Sequence, residues 1–455
     1  MTLTRTIDEL RAGLRGRVIT PDDADYDATR RIALGGTDPR PAAIVRVAGT
    51  DDVARTIAHA RRIRADLAVR SGGHSGAGHG TADGGIVIDL RDLRRFDLDT
   101  DTGTAWADAG LTAGEVTEAA AAHGLAIGFG DTATVGIGGI TLGGGIGYLV
   151  RKHGMTIDSV LAAEIVTADG EIRTVDVDRD PDLFWALRGG GGNFGVVTRF
   201  RYRLHPLDQV VGGMLILPAT PDTIAAFMTA ADAAADELSA IANVMACPPM
   251  PFVAEEHHGT PVIMALMCWS GAVEEADAAY APFRALATPL ADMVRPIRYP
   301  EMYPPEDPDY HPTAVSRTMF VERIGLEDAA AIVAAIEASD APMRGAQLRV
   351  LGGAAARVPS DATAYAHRAS RIMVNVFSFY DGEGDRSRRE AWVADLSDAL
   401  RQSDAGAYVN FLADEGPERV RAAYPGTTWN RLVEVKRRYD PDNVFRRNQN
   451  IAPEA

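Results

Sequence analysis

The sequence predicts an α+β fold of two domains, the first of them discontinuous, and three observations predict it. Up to about residue 205, short β-prone runs alternate with helical patterns and glycine is frequent. From about 207 glycine thins out, and long alanine-rich helical patterns alternate with strand-like runs. From Tyr408 to Pro453 the chain is motif-like again, which predicts a return to the first domain. The expected division is 1–206 for the first domain, 207–405 for an inserted second domain and 406–455 for the return.

Ala42–Val47 reads as a short apolar strand. Thr50 is the expected N-cap of the next helix, with Asp51 and Asp52 in its first turn and Val53, Ile57, Ala60 and Ile63 at helical spacing. Leu67–Arg70 and Ile86–Leu90 are further strands. Thr112 and Glu115 have capping-box spacing, and the helix they open should end at Gly124. Glu164–Thr167 and Glu171–Val175 flank Asp169-Gly170, a hairpin signal. In the second region the expected helices are Asp222–Glu237, Glu274–Leu286, Glu327–Ser339 and Ser387–Arg401. The expected strands there are Val262–Trp269, Leu348–Leu351 and Ile372–Phe379.

Charge and cysteine content narrow the function. With 46 Lys+Arg against 63 Asp+Glu the net charge is −17, which disfavours nucleic acid and anionic membrane as partners. Any phosphate should be held by backbone N–H groups rather than by cationic clusters. Cys247 and Cys268 are the two cysteines and neither lies in a CxxC motif, so a disulfide framework and a cysteine zinc site are not expected. The first residues lack the apolar core of a secretory signal, and no run approaches the ~18 apolar residues that span a bilayer. A cytoplasmic location is the expectation; the oligomeric state is left open.

Three glycine-rich segments stand out: Arg70–Gly78, Thr134–Gly147 and Arg188–Gly195. Glycine admits positive φ and close approach of the backbone, so successive N–H groups point into one concavity. Gly190–Gly195 matches GxGxxG, but a helical end precedes it and a β-prone run follows, the reverse of a dinucleotide-fold turn. There is no GxxxxGK motif. His74 and His79 have no helix to fix them and no carboxylate cluster beside them, so no metal site is expected.

The segments Arg70–Ser75, Gly85–Leu90, Thr134–Gly147 and Asp182–Thr198 resemble the flavin-attachment region of the vanillyl-alcohol-oxidase (PCMH) type of FAD enzymes, in particular the berberine-bridge-enzyme-like group. The resemblance returns in Ala407–Phe411 and Tyr439–Asn448, and covers roughly 15–205 and 345–453. It implies an FAD-binding domain with a second domain built of an antiparallel sheet and helices. It implies FAD bound covalently through His74, within a phosphate loop of Arg70, Ser71, Gly72, Gly73, His74, Ser75 and Gly76. Thr134, Val135, Gly136, Gly138, Gly139, Gly143, Gly144 and Gly145 should line the cofactor. Gly195, Val196 and Val197 should touch its adenosine part, and Asn448 belongs to the returning motif. Many relatives carry a second link from a cysteine; Thr132 stands at that position and Ile140 follows Gly139, so a single link is expected.

The resemblance also implies the reaction. A small organic alcohol or amine would lose hydride to the flavin, and oxygen would reoxidise it; a dehydrogenase with another acceptor and a non-catalytic flavoprotein are the alternatives. Tyr408 is the candidate base, with packing or hydrogen bonding to substrate as its other reading, and Asn410 should share its strand face. Arg349 and Asn375 sit on second-domain strands and face the site only if the alternation turns them inward. Tyr148 should border the ring, and Thr141 falls where relatives control oxygen access. Met245, Met250, Met264, Met267, Trp269 and Phe252 are read as core or as an apolar pocket wall.

Overall fold

Three short apolar runs build the first sheet. Ile86–Asp89 is buried along its whole length and lies between Ala43–Arg46 and Leu67–Arg70, parallel to both, as suits a strand covered on two faces. Arg17–Ile19 adds an antiparallel edge. The computed structural model describes residues 3–307, 309–402 and 406–454. Helix Thr50–Ile63 links the two outer parallel strands and is capped by Gly49, not by Thr50. The Thr50 hydroxyl is taken by Glu164 at 2.8 Å, a partner 114 residues away.

A second, antiparallel sheet has the order Phe96–Asp99, Thr104–Asp108, Val196–Arg203, Val160–Val166, Ile172–Asp176. Its Val160–Val166/Ile172–Asp176 pair turns at Asp169-Gly170, where Gly170 has φ +87°. Helix Pro181–Leu187 precedes the glycine run and Val196–Arg203 follows it, the order that speaks against a dinucleotide turn. Thr112 and Glu115 form the capping box. That helix is capped at Ala122, with Gly124 in the left-handed region two residues further on. Both sheets share one core, to which the returning helix Thr427–Tyr439 adds Leu432, Val433 and Val435.

The remaining region is an eight-stranded antiparallel sheet. Its middle runs Val210–Pro218, Pro261–Trp269, Leu238–Ala246, Arg344–Val350, Ile372–Tyr380, Thr313–Val321. Helices Pro221–Ala233, Leu326–Ala338 and Arg386–Ala399 pack on one face, where Ala242, Val244, Ala346, Leu348, Val374 and Val376 are buried. Val210–Pro218, Leu238–Ala246 and Thr313–Val321 are strands that local pattern did not suggest. The expected boundary at 405/406 abuts residues 403–405, outside the described residues.

Candidate active site

The uncovered face of the large sheet, the glycine segments and the C-terminal return enclose a cavity of about 610 Å³, a size typical of cofactor and substrate sites. Ser71, Gly72, Gly73, His74, Ser75 and Gly76 form one wall. Thr132, Val135, Gly136, Gly138 and Gly139 form the next, followed by Gly195, Val196, Val197 and Asn448. Gly72 packs so closely that a Cβ would overlap the backbone of Gly136. Ser71 ties the two loops, donating to Ala109 O at 2.6 Å and accepting from Gly138 N at 3.2 Å. At Gly76, Gly139 and Gly192 a Cβ would meet open space, so bare backbone faces the cavity.

Arg70 supports this loop from beneath and does not line the cavity. It is buried, donates to Arg30 O and Arg31 O, and lies 3.3 Å from the Asp89 carboxylate. Burial pulls its guanidinium down to about 10. Burial also opposes the charge on Asp89, but Arg91 and Arg70 hold that carboxyl below its usual range. The Gly190–Gly195 run is held by the returning chain. Asn193 Nδ2 donates to Gly190 O and Gln449 O, and Asn448 Nδ2 donates to Gly192 O. Buried Lys436 donates to Asn193 O, Asp440 and Phe445 O at 2.7–3.0 Å.

The opposite wall follows the two-residue period of a strand. Residues alternating with the helix-covered set face the cavity: Asn243 and Met245, Gln347 and Arg349, Asn375 with Phe377 and Phe379, Ala314 and Ser316. Register places Asn243, Gln347 and Asn375 side by side across three strands. Gln347 Nε2 donates to Asn243 Oδ1, and Arg349 Nε donates to Gln347 Oε1. Arg349 and Asn375 thus face inward. Arg349 also pairs with Asp131 at 2.6 Å, donates to Ile146 O and lies 5.0 Å over the Phe411 ring. Of the apolar candidates only Met245 lines the cavity. Met267 and Trp269 belong to the core under the helices, Met250 and Met264 to a separate cluster, and Phe252 is exposed.

Tyr408 and Asn410 meet here by a different device from the expected strand. Val409–Phe411 is a single 3₁₀ turn, a winding that eclipses i with i+3 and sets Phe411 against Tyr408. The Tyr408 hydroxyl oxygen accepts from Gly145 N at 2.8 Å and from Asn410 Nδ2 at 3.0 Å. Phe411 turns back onto Tyr408, with ring centroids 5.3 Å apart. Burial pushes the Tyr408 hydroxyl up to about 12, against the two hydrogen bonds and Arg349.

Four positions expected to line the cofactor sit behind the wall. A Cβ on Gly143 would overlap the Asn410 amide, and one on Gly144 would crowd the Tyr408 ring, so these two glycines make room for that pair, while a Cβ on Gly145 would overlap Thr156. Thr134 stands outside the lining, bonded to His74 Nε2 and Glu306. Tyr148 is fully buried against Tyr303, and Thr141 is buried against the Tyr202 hydroxyl at 2.7 Å. Neither faces the cavity. Local pattern missed Asp131, Asn243, Gln347, Met343, Phe377, Phe379, Arg447 and Gln449 in the wall. For the two phenylalanines the unused signal was the period-two alternation of the recognised strand Ile372–Phe379, which puts them on the face of Asn375.

Residues 41–176 match the FAD binding domain family and residues 407–452 the family described as berberine and berberine like. The chain is 30% identical over 458 residues to (R)-6-hydroxynicotine oxidase of Paenarthrobacter nicotinovorans, covering 97% of each. It belongs to the berberine-bridge-enzyme-like FAD-linked oxidoreductases. Its fold superposes on crystalline 6-hydroxy-D-nicotine oxidase from Arthrobacter nicotinovorans with a TM-score of 0.86 and 27% identity, covering 97% of this chain and 98% of that one. A single-residue variant of berberine bridge enzyme, a reticuline dehydrogenase, superposes with a TM-score of 0.87 at 21% identity over 99% of each, which speaks to fold alone. FAD is the cofactor of this group, and the cavity fits it. Bare backbone at Gly76, Gly139 and Gly192 faces open space, which lets a pyrophosphate approach main-chain N–H groups. Among the described residues no helix is long and apolar enough to cross a membrane.

Proposed function

We propose that the chain is an oxidase carrying FAD through one covalent bond to His74, acting on a small organic alcohol or amine and releasing hydrogen peroxide. The observation that carries this reading is one cavity walled by the His74 loop on one side and the Tyr408–Asn410 pair on another. FAD, when bound, supplies the two-electron chemistry, accepting hydride and passing electrons to oxygen. The Ser71–Gly76 and Gly136–Gly139 loops hold its phosphates with main-chain N–H groups. Gly195–Val197 and Asn448 border its nucleotide end. Thr132, a wall residue without a thiol, supports a single attachment.

The second sheet face binds and orients the substrate. Asn243, Gln347 and Asn375 offer carboxamides, while Met245, Met343, Phe377 and Phe379 exclude water. That mixture supports an apolar molecule bearing a hydroxyl or amino group. Tyr408 handles the proton released beside the reacting carbon, its oxygen held by Gly145 and Asn410. We assign 1–206 and 406–455 to the FAD domain and 207–405 to the substrate domain. Two buried free cysteines support a reducing, cytoplasmic location.

The test is a screen of alcohols, amines and sugars by anaerobic bleaching of the purified yellow protein, followed by admission of air. An alcohol or amine should bleach it, and air should restore the colour with stoichiometric peroxide. Bleaching by sugars alone, or recolouring only with an added dye, refutes the substrate or the oxidase assignment respectively. Acid-denatured protein should stay yellow, and His74→Ala protein should not.

A further inference from the structure

His74 has a connected pair of neighbours. Glu306, from the second region, folds its carboxylate over the Ala133–Thr134 backbone. Its Oε1 accepts from Ala133 N at 2.9 Å and from Thr134 N at 3.4 Å. Its Oε2 accepts from the Thr134 hydroxyl. Thr134 Oγ1 in turn lies 3.0 Å from His74 Nε2. A threonine hydroxyl has a single proton, and a carboxylate only accepts. That proton is committed to Glu306, so Thr134 meets His74 with a lone pair. His74 is therefore the donor, with its proton on Nε2 and its free electron pair on Nδ1. Among the described residues Nδ1 has no hydrogen-bond partner.

We propose that Glu306 and Thr134 form a proton relay that activates His74 for its own bonding to the cofactor. The inference rests on the reading of His74 as the anchor. Attachment replaces one C–H bond of a ring methyl by a C–N bond to the imidazole. Two electrons and two protons are given up in all, one proton from the methyl carbon and one from the imidazole, and oxygen takes them as hydrogen peroxide. Nδ1 contributes the pair for the new bond. Nε2 gives its proton to Thr134 Oγ1 as Thr134 passes its own to Glu306, so the imidazole ends alkylated and neutral. Burial lowers the basicity of His74, and Glu306 with Thr134 acts in the opposite direction. Both act through His74 and are positioning residues.

A purely structural tie across the 133–134 loop would alter FAD binding or stability, whereas a relay alters the rate of attachment at equal loading. Glu306→Gln and Thr134→Val full-length proteins are purified and supplied with FAD in air. Native flavin content and the flavin retained after acid denaturation are followed together. Both variants should load FAD and melt as wild type does, yet attach it at least about tenfold more slowly, a threshold set below the ~10²–10⁴-fold range for lost base assistance. Thr134→Ser, which keeps the hydroxyl, should attach at close to the wild-type rate. Attachment at the wild-type rate in Glu306→Gln and Thr134→Val overturns the relay while leaving the His74 anchor standing. Release of all flavin from denatured wild-type protein overturns the anchor, and the relay with it. Should Glu306→Gln fail to load, the Thr134→Ser and Thr134→Val pair decides: equal rates refute the relay.

Discussion

Replacing Tyr408 by Phe removes one hydroxyl from a fully enclosed ring and leaves its packing against Phe411 and Tyr365 intact. The size of the loss depends on what the hydroxyl does. With burial pushing it up to about 12, bringing the phenolate into being at pH 7 costs about 7 kcal/mol, five pH units at ~1.36 kcal/mol each. A base that must first ionise against that cost speeds up with pH, by close to tenfold per unit from pH 7 to 10. Its removal should slow the reaction about 10²–10⁴-fold. A hydroxyl that only donates a hydrogen bond is worth far less, about 0.5–1.5 kcal/mol, and leaves no such slope. The assay is stopped-flow bleaching without oxygen across that pH range, with reoxidation by air as the control. We expect Tyr408→Phe to lose both the rate and the slope and to reoxidise normally. A loss under about tenfold with a pH-independent wild type would refute the base role. Attention would then pass to Asp131, the ion-paired carboxylate in the same wall.

Gly72→Ala should yield colourless protein with an otherwise folded second region, because its Cβ would overlap the Gly136 backbone; normal flavin absorbance would refute the cradle. Lys436→Met leaves the Asp440 carboxylate buried without its cation, which should cost roughly 3–5 kcal/mol, read as a lower denaturation midpoint; an unchanged midpoint would refute the anchoring role. Burial pulls His79 and His153 down to about 4, against ~6.5 in the unfolded chain. Between those values the unfolded chain binds more protons, so the contribution is complete above pH ~6.5 and fades toward pH ~4. The melting temperature should therefore fall from pH 7 to 5, and a flat or rising profile would contradict it.

The glycine-loop side of the cavity was legible because close backbone packing demands particular residues at contiguous positions. Only glycine suits both the Gly72 contact and φ +78° at Gly73, and such a constraint is visible in a string of letters. The sheet side was legible only where strands were recognised. Arg349 and Asn375 lay on recognised runs, whereas Asn243 lies in LSAIANVMA, whose alanines suggest helix until neighbouring strands pair with it. Adjacency to glycine misled at Tyr148, since it does not fix which way a side chain turns, and Thr141, expected from the resemblance alone, is turned to the Tyr202 hydroxyl. Tyr408 and Asn410 were rightly paired, but by a 3₁₀ turn. Glu306 was out of reach altogether, because its contact with Thr134 joins residues 172 positions apart.

The strap around Asn193 has a consequence for the order in which the protein is made. Gln449 and Ile451 close on Asn193, and Phe445 on Lys436, so the glycine-run end of the cavity is finished by residues that leave the ribosome after the whole eight-stranded sheet. The glycine run they secure was synthesised about 250 residues earlier and must wait while the whole eight-stranded sheet is produced. Cofactor capture therefore belongs after translation, and a message truncated before residue 440 yields a chain that never turns yellow, however well its first half folds.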